Sequence, residues 1–404
     1  MTTTDAGRGA PRPRRAYEGP AVLSMGFRPF FLACALWATI AVPVWVLAWG
    51  GWVTLGGPFV PTDWHIHEMV WGFGAAAIAG FLFTAVPNWT GRMPMQGWPL
   101  ALLLGLWLLG RLAVGGLLGL PPLGVLAADA AFLLAVALMI GREIVAGRNW
   151  RNLMVLGPVT LLLAGNVVFH LEAMASGSAE VGRRLGLAVV VFLITLIGGR
   201  IIPSFTRNWL AQRDAERLPV PANRFDMACL VAGGAALLLW SLWPGAVAGS
   251  ALVVAGVLHA VRLARWRGWD TRRSAILLML HVAYGFVPLG LVAVGLAGWG
   301  LLPPAVGMHL LGVGAMGGMI LAVMMRATMG HTGRELAAGP WLAGAFGLVV
   351  AAAGLRAGLA EAVVLGVSGL TGAAALWTLA FAAFAARVGP WLLAPRVAAR
   401  RPGR

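Results

Sequence analysis

The chain reads as an all-α, polytopic integral membrane bundle of about 12 transmembrane helices with both termini cytoplasmic. Three observations predict this. Of 404 residues 60% are apolar and 11% charged, with a mean hydropathy of +0.84, more apolar surface than a water-soluble core can hide. Apolar stretches of roughly 18 to 25 residues recur, the length that crosses about 30 Å of hydrocarbon at 1.5 Å per residue. Arginines gather in alternate gaps between those stretches, the asymmetry that orients membrane helices.

Residues 1–20, rich in Arg, Pro, Thr and Gly, read as a disordered basic tail. A cleaved signal peptide is the competing reading, but the apolar run that follows is too long for its hydrophobic segment. One transmembrane domain over 21–390 then carries twelve spans: Met25 to Trp49, His67 to Pro87, Trp98 to Leu118, Leu123 to Ile140, Leu153 to Ala173, Leu185 to Phe205, Phe225 to Trp243, Val247 to Trp266, Ala275 to Leu296, Pro304 to Met325, Leu336 to Leu355 and Ala362 to Ala386. Residues 391–404 form a basic C-terminal tail.

The net charge of +16 comes from 30 basic residues, all of them arginine, against 14 acidic ones. The all-arginine usage is the mark of GC-rich codons. Because the arginines sit in short gaps, the charge is an orientation signal and nucleic acid is not the partner. The N-terminal stretch to Arg28, the even-numbered gaps (among them Arg142, Arg148, Arg207, Arg213, Arg267 and Arg334) and the C-terminal tail are basic, whereas the odd-numbered gaps hold only Arg183, Arg184 and Arg356. Both termini are therefore expected in the cytoplasm. Cys34 and Cys229 each lie inside an apolar run, which excludes a CxxC metal or redox pair and covalent c-type haem.

Histidine within a span is costly unless it faces a partner, so the seven histidines are the first functional candidates. His65 and His67 open the second span, His170 closes the fifth and His309 starts the tenth, all at the outer face; His259 and His281 lie toward the cytoplasm and His331 falls just beyond the tenth span. Imidazole suits haem iron or copper, and the near absence of carboxylates in the spans argues against magnesium, calcium or di-iron chemistry. His65 and His67, about 200° apart on a helix, cannot grip one metal face-on and can serve two sites on opposite sides. Met316 and Met319 share a stripe with His309, and Tyr284 follows His281 by three residues; packing accounts for either pattern as well as ligation does.

The cytoplasmic ends of spans two, six and ten carry related Arg-bearing sequences, Thr84 to Arg92, Gly198 to Trp209 and Met324 to Arg334, a spacing that suggests a threefold repeat. Arg28, Arg200 and Arg326 lie where a haem propionate, a lipid phosphate or another anion can pair, or where the side chain snorkels to the interface.

Six longer motifs bring the chain close to a known family. They are Gly-Phe-Arg-Pro-Phe-Phe (Gly26 to Phe31), Trp-His-Ile-His-Glu-Met (Trp64 to Met69), the run from Gly80 to Gly91, the run from Gly198 to Leu210, Leu-His-Val-Ala-Tyr (Leu280 to Tyr284) and the run from Val313 to Arg334. With these in order from end to end, the chain resembles the NnrS proteins, haem- and copper-containing membrane proteins of the bacterial response to nitric oxide. Where that family usually reads His-Ala-Leu-Thr, this chain has His-Leu-Leu-Gly from His309 to Gly312, keeping the histidine and losing a hydroxyl.

The resemblance implies haem b and copper bound in the bacterial inner membrane, with nitric oxide and membrane lipids as partners. Matching histidines gives His65, His67, His170, His281, His309 and His331, with Arg28 and Arg200, as cofactor-binding residues; the first three, with His281 and His309, are the metal-ligand set. It implies protection against nitrosative stress by capture of nitric oxide, or by its redox conversion with electrons from an unidentified donor. The alternative is a transporter of a metal or nitrosylated species, which broken helices would support; the interruptions at Pro43, Gly157-Pro158 and Pro288 do not select between the readings, since kinks are common in spanning helices.

Overall fold

Five of the long helices carry proline in their first turn, where its missing N–H leaves no bond unmade: Pro61, Pro99, Pro122, Pro304 and Pro340. The computed structural model describes residues 17–364 and 366–397. The expected basic tails fall largely outside the described residues, at 1–16 and 398–404. Twelve helices follow in order: α1 Phe27–Trp49, α2 Pro61–Thr90, α3 Trp98–Val114, α4 Pro122–Ala146, α5 Leu153–Ser176, α6 Glu180–Ala211, α7 Arg224–Leu242, α8 Ala246–Ala264, α9 Ala275–Gly298, α10 Pro304–Thr332, α11 Gly339–Gly358 and α12 Gly369–Leu393. Eleven are long and apolar enough to cross a membrane, and α3, at 17 residues, falls just short. The expected multi-pass α-helical bundle is borne out.

The boundaries moved where capping chemistry outweighs hydropathy. Helix α2 starts at Pro61, six residues before its apolar run, and α10 continues through His331, which therefore sits in the last helical turn rather than in a gap. The apolar run at Ala362 does not start α12. Its β-branched residues pair instead as a short antiparallel hairpin, β1 Val363–Val364 with β2 Val367–Ser368, turned through Gly366 at φ +78°. The chain stays helical through Pro43, Pro158 and Pro288.

Helices adjacent in sequence pack side by side, and α1 meets α12 to close the ring. The most apolar stretches of α2 and α6 are 78% buried within the protein, against 33% for α4, α11 and α12, so the former pair lies inside and the latter at the lipid-facing edge. Outward faces such as Leu36, Ile40 and Leu47 on α1 or Val247, Val254 and Val261 on α8 are exposed and apolar, while exposed Trp98, Trp243, Trp299 and Trp341 cluster at helix ends, as interfacial anchors do.

Lipid tails are as apolar as leucine, so helices here associate by close packing rather than by escape from water. One close example is α8 against α9: a Cβ on either Gly249 or Gly295 would stand 2.6 Å from the other's carbonyl oxygen. Gly295→Val is expected to force these backbones apart at about 1–3 kcal/mol, read as a lower unfolding temperature in detergent; an unchanged temperature would show that the contact carries no weight.

Helices α2, α6 and α10 share one more feature. Each contains a π segment with wider turns, at Glu68–Gly74, Ile194–Gly198 and Leu310–Gly317 respectively. Such segments recur at functional sites, and these are the helices whose C-terminal ends carry the related Arg-bearing sequences.

Candidate metal-binding sites

At one end of the bundle, the last turns of α1 and α11 meet the first turns of α2, α6, α10 and α12 around a cavity of about 290 Å³. Its walls are mostly apolar, with Val70, Leu187, Val313 and Trp377 among them, and three methionines, Met69, Met308 and Met316, add thioethers. The polar groups are few: His65 from α2, His309 from α10, Thr62, and the guanidinium groups of Arg183 and Arg356. His309 Nδ1 lies 2.7 Å from the Ala305 carbonyl oxygen one turn earlier. Donating there fixes the tautomer and leaves Nε2 with a free lone pair, the usual second interaction of a metal-binding imidazole. His65 stacks on Trp45 with ring centroids 4.1 Å apart, and its buried Nδ1 has no hydrogen-bond partner. Two imidazoles, apolar walls and nearby arginines are the donor set a haem needs: axial nitrogen and cations for propionates.

His67 faces the other way, into a polar cluster buried between α2, α3, α4 and α5. Its Nδ1 lies 3.1 Å from Glu68 Oε1, and its Nε2 lies 3.1 Å from Asp129 Oδ2 and 3.0 Å from Asn166 Oδ1. His170 Nε2 approaches the same Asp129 Oδ2 at 3.2 Å, and Asn166 Nδ2 donates to it at 2.7 Å. Arg111 Nη1 donates to both Glu68 oxygens at 2.6 Å, while Nη2 pairs with Asp129 Oδ1. Gly72 and Gly110 leave room for this network: a Cβ at Gly72 would stand 2.6 Å from Glu68 Oε2, and one at Gly110 would stand 2.8 Å from Asp129 Oδ1. Phe59, Phe169 and Trp71 enclose the imidazoles.

Asp129 thus divides its carboxylate, with one oxygen for Arg111 and the other for the two histidines. His67, Asp129 and His170 offer ligand atoms all within 4.8 Å of one another. Two imidazoles and one carboxylate suit copper, zinc or iron rather than magnesium or calcium. The expectation that carboxylates are nearly absent from the spans is corrected here, since Asp63, Glu68, Asp129 and Asp226 are all buried inside helices. The four outer histidines form two pairs rather than one group: His65 with His309 in the cavity, and His67 with His170 in the cluster.

The other expected residues lie elsewhere. His281 Nδ1 faces the Leu277 carbonyl oxygen at 3.0 Å and its Nε2 lies 3.4 Å from Thr206 Oγ1, so both ring nitrogens meet protein atoms. Tyr284 is not its partner; the phenol hydroxyl lies 2.9 Å from His259 Nδ1 and accepts from Arg262 Nη1 at 3.2 Å. His331 packs on the Phe27 ring at 5.4 Å. Arg28 donates to the carbonyls of Trp391, Leu392 and Ala394 at 3.2, 2.9 and 2.6 Å, capping the end of α12. Arg200 is exposed and lies over Trp89, and Arg326 lies over Phe205. Met316 lines the cavity with His309, whereas Met319 lines a smaller space below it.

Asp129, Glu68, Arg111 and Asn166 were the residues that attention to histidine passed over. The available signal was a lone acid and a lone base in neighbouring apolar runs, each an intramembrane charge in need of a partner. Residues 21–396 match the family model described as NnrS protein, and no curated protein matches the chain at a significant level.

Proposed function

The chain belongs to the NnrS family, and from that premise we propose that it is a haem- and copper-binding protein of the bacterial inner membrane that protects against nitric oxide. The supporting observation is the division made by α2, which turns His65 into an apolar cavity beside His309 and His67 into a compact set with Asp129 and His170. In this reading His65 and His309 hold the haem, with Arg183 and Arg356 toward its propionates, and His67, Asp129 and His170 hold copper. When bound, haem would supply an iron site at which a small uncharged diatomic takes the place of one of the two imidazoles. The chain's own residues do the rest: Ala305 fixes the His309 tautomer, Trp45 fixes the plane of the His65 ring, and the apolar walls keep water from competing. In this reading both termini face the cytoplasm and both sites lie near the periplasmic surface, with the alternation of arginine-rich and arginine-poor gaps in support.

The test is the absorption spectrum and metal content of the detergent-purified protein. A Soret band that shifts on adding nitric oxide is expected, lost in His65→Ala and His309→Ala. In His170→Ala the band should persist while copper falls about tenfold or more, as expected when a ligand is removed. A colourless, metal-free protein would overturn the assignment.

A further inference from the structure

A second space lies between α2, α6 and α10, three of the six helices around the cavity of His65 and His309, with Phe31 of α1 at its wall. Its volume is about 80 Å³, and its walls include Phe31, Leu82, Ile194, Ile197 and Met324, with no polar side chain. A water molecule entering it would find no hydrogen-bonding partner, and apolar cavities of this kind stay dry and take up apolar guests. The space is about half the 150 Å³ known to hold benzene or xenon, so its guest is a molecule of a few atoms. Phe81, Ile201, Ile320 and Val323 at its rim are only half-buried. All four lie within spanning helices, so the rim meets acyl chains, in which uncharged gases dissolve.

Met316 and Leu187 line the upper space, Met319 and Val190 the lower. Gly74, the last residue of the α2 π segment, stands between the two: a Cβ there would lie 3.6 Å from Met316 Sδ and 4.0 Å from Val190 Cγ2. With no side chain on Gly74, nothing from α2 at this position crowds the Met316 thioether, an unbranched and flexible group.

We propose that the lower chamber binds a small uncharged gas drawn from the lipid and passes it over Met316 to the cavity of His65 and His309. The existence of the chamber is independent of any cofactor; its role as a supply route rests on the haem reading given above.

Xenon is the probe for the first part. Under xenon pressure the full-length protein should show one atom between Ile197 and Met319, by crystallography or by ¹²⁹Xe NMR in nanodiscs. Ala77→Leu, which projects into the chamber, should abolish that signal. Ile320→Trp at the rim provides a second variant should the first fail to fold. Xenon absent from the wild type, xenon retained in a folded filled variant, or density for an acyl or detergent tail in the chamber would each overturn the proposal. Flash photolysis of the nitric oxide complex tests the route: Gly74→Leu should slow recombination from the membrane by about tenfold or more at unchanged Soret intensity. An unchanged rate removes the route. A protein without a Soret band refutes the haem reading instead, and the xenon experiment still decides the chamber.

Discussion

Replacing Arg111 with alanine is expected to unfold the end of the bundle that holds His67 and His170 more severely than any other single change. Among the described residues its guanidinium alone, of the arginines, pairs with Glu68 and Asp129, both fully buried. Removing it leaves two carboxylates facing each other's field in a region without water, and breaking a buried pair in this way costs about 3–5 kcal/mol. The upper end of that range applies, because one deletion strands two acids. The readout is already present in the molecule: Cys34 and Cys229 are buried and free, so the temperature at which they react with a thiol dye reports loss of structure. A fall of only a degree or two would mean that the imidazoles can balance both carboxylates alone. The compensated variant Glu68→Met with Arg111→Met and Asp129→Leu should recover much of the stability, since apolar replacement of a whole buried charge cluster is often neutral or better. Copper binding should not recover with it, which separates the structural role of the cluster from its ligand role.

Arg262→Ala is the second large effect, at the opposite end. Arg262 ties four helices together, donating to Asp226 Oδ1 on α7 at 3.0 Å, to the Thr195 carbonyl on α6 at 2.9 Å and to the Tyr284 hydroxyl on α9 at 3.2 Å from its own position on α8. Its loss is expected toward the lower end of the same range of about 3–5 kcal/mol, because Arg265 remains 3.6 Å from Asp226 and can move closer. The thiol assay should show Cys229, on α7, reacting before Cys34, on α1. The Soret band should persist at temperatures where the structure holds, since the cavity is at the other end. A variant that loses the band before it loses structure would show that the two ends are coupled.

The bundle was legible because lipid imposes one rule on every span: apolar length sufficient to cross it. Helix ends were less so, since Pro61 and the hairpin at Val363 obey local backbone chemistry that a hydropathy window averages away. The opposite facing of His65 and His67 follows from 100° per residue on a helix and needs no tertiary information. Their partners do. Asp129 stands alone in an alanine- and leucine-rich run, and Arg111 in another, and only packing brings the two together. The π segments had no readable signal beyond nearby glycines such as Gly72, Gly74 and Gly317, because widening a turn depends on what the helix must accommodate from its neighbours.

The clasp made by Arg28 has a consequence for biogenesis. It sits at the start of the first helix and takes hold of carbonyls at the end of the twelfth, groups that are made only after the other eleven helices. Until then the opening segment waits in the bilayer with a cation and no mate, and the circle of helices stays unsealed. A chain truncated before Trp391 would insert yet remain open at that seam, a ready target for membrane quality control, whereas joining the two ends and cutting elsewhere would leave the clasp intact and let the circle shut early.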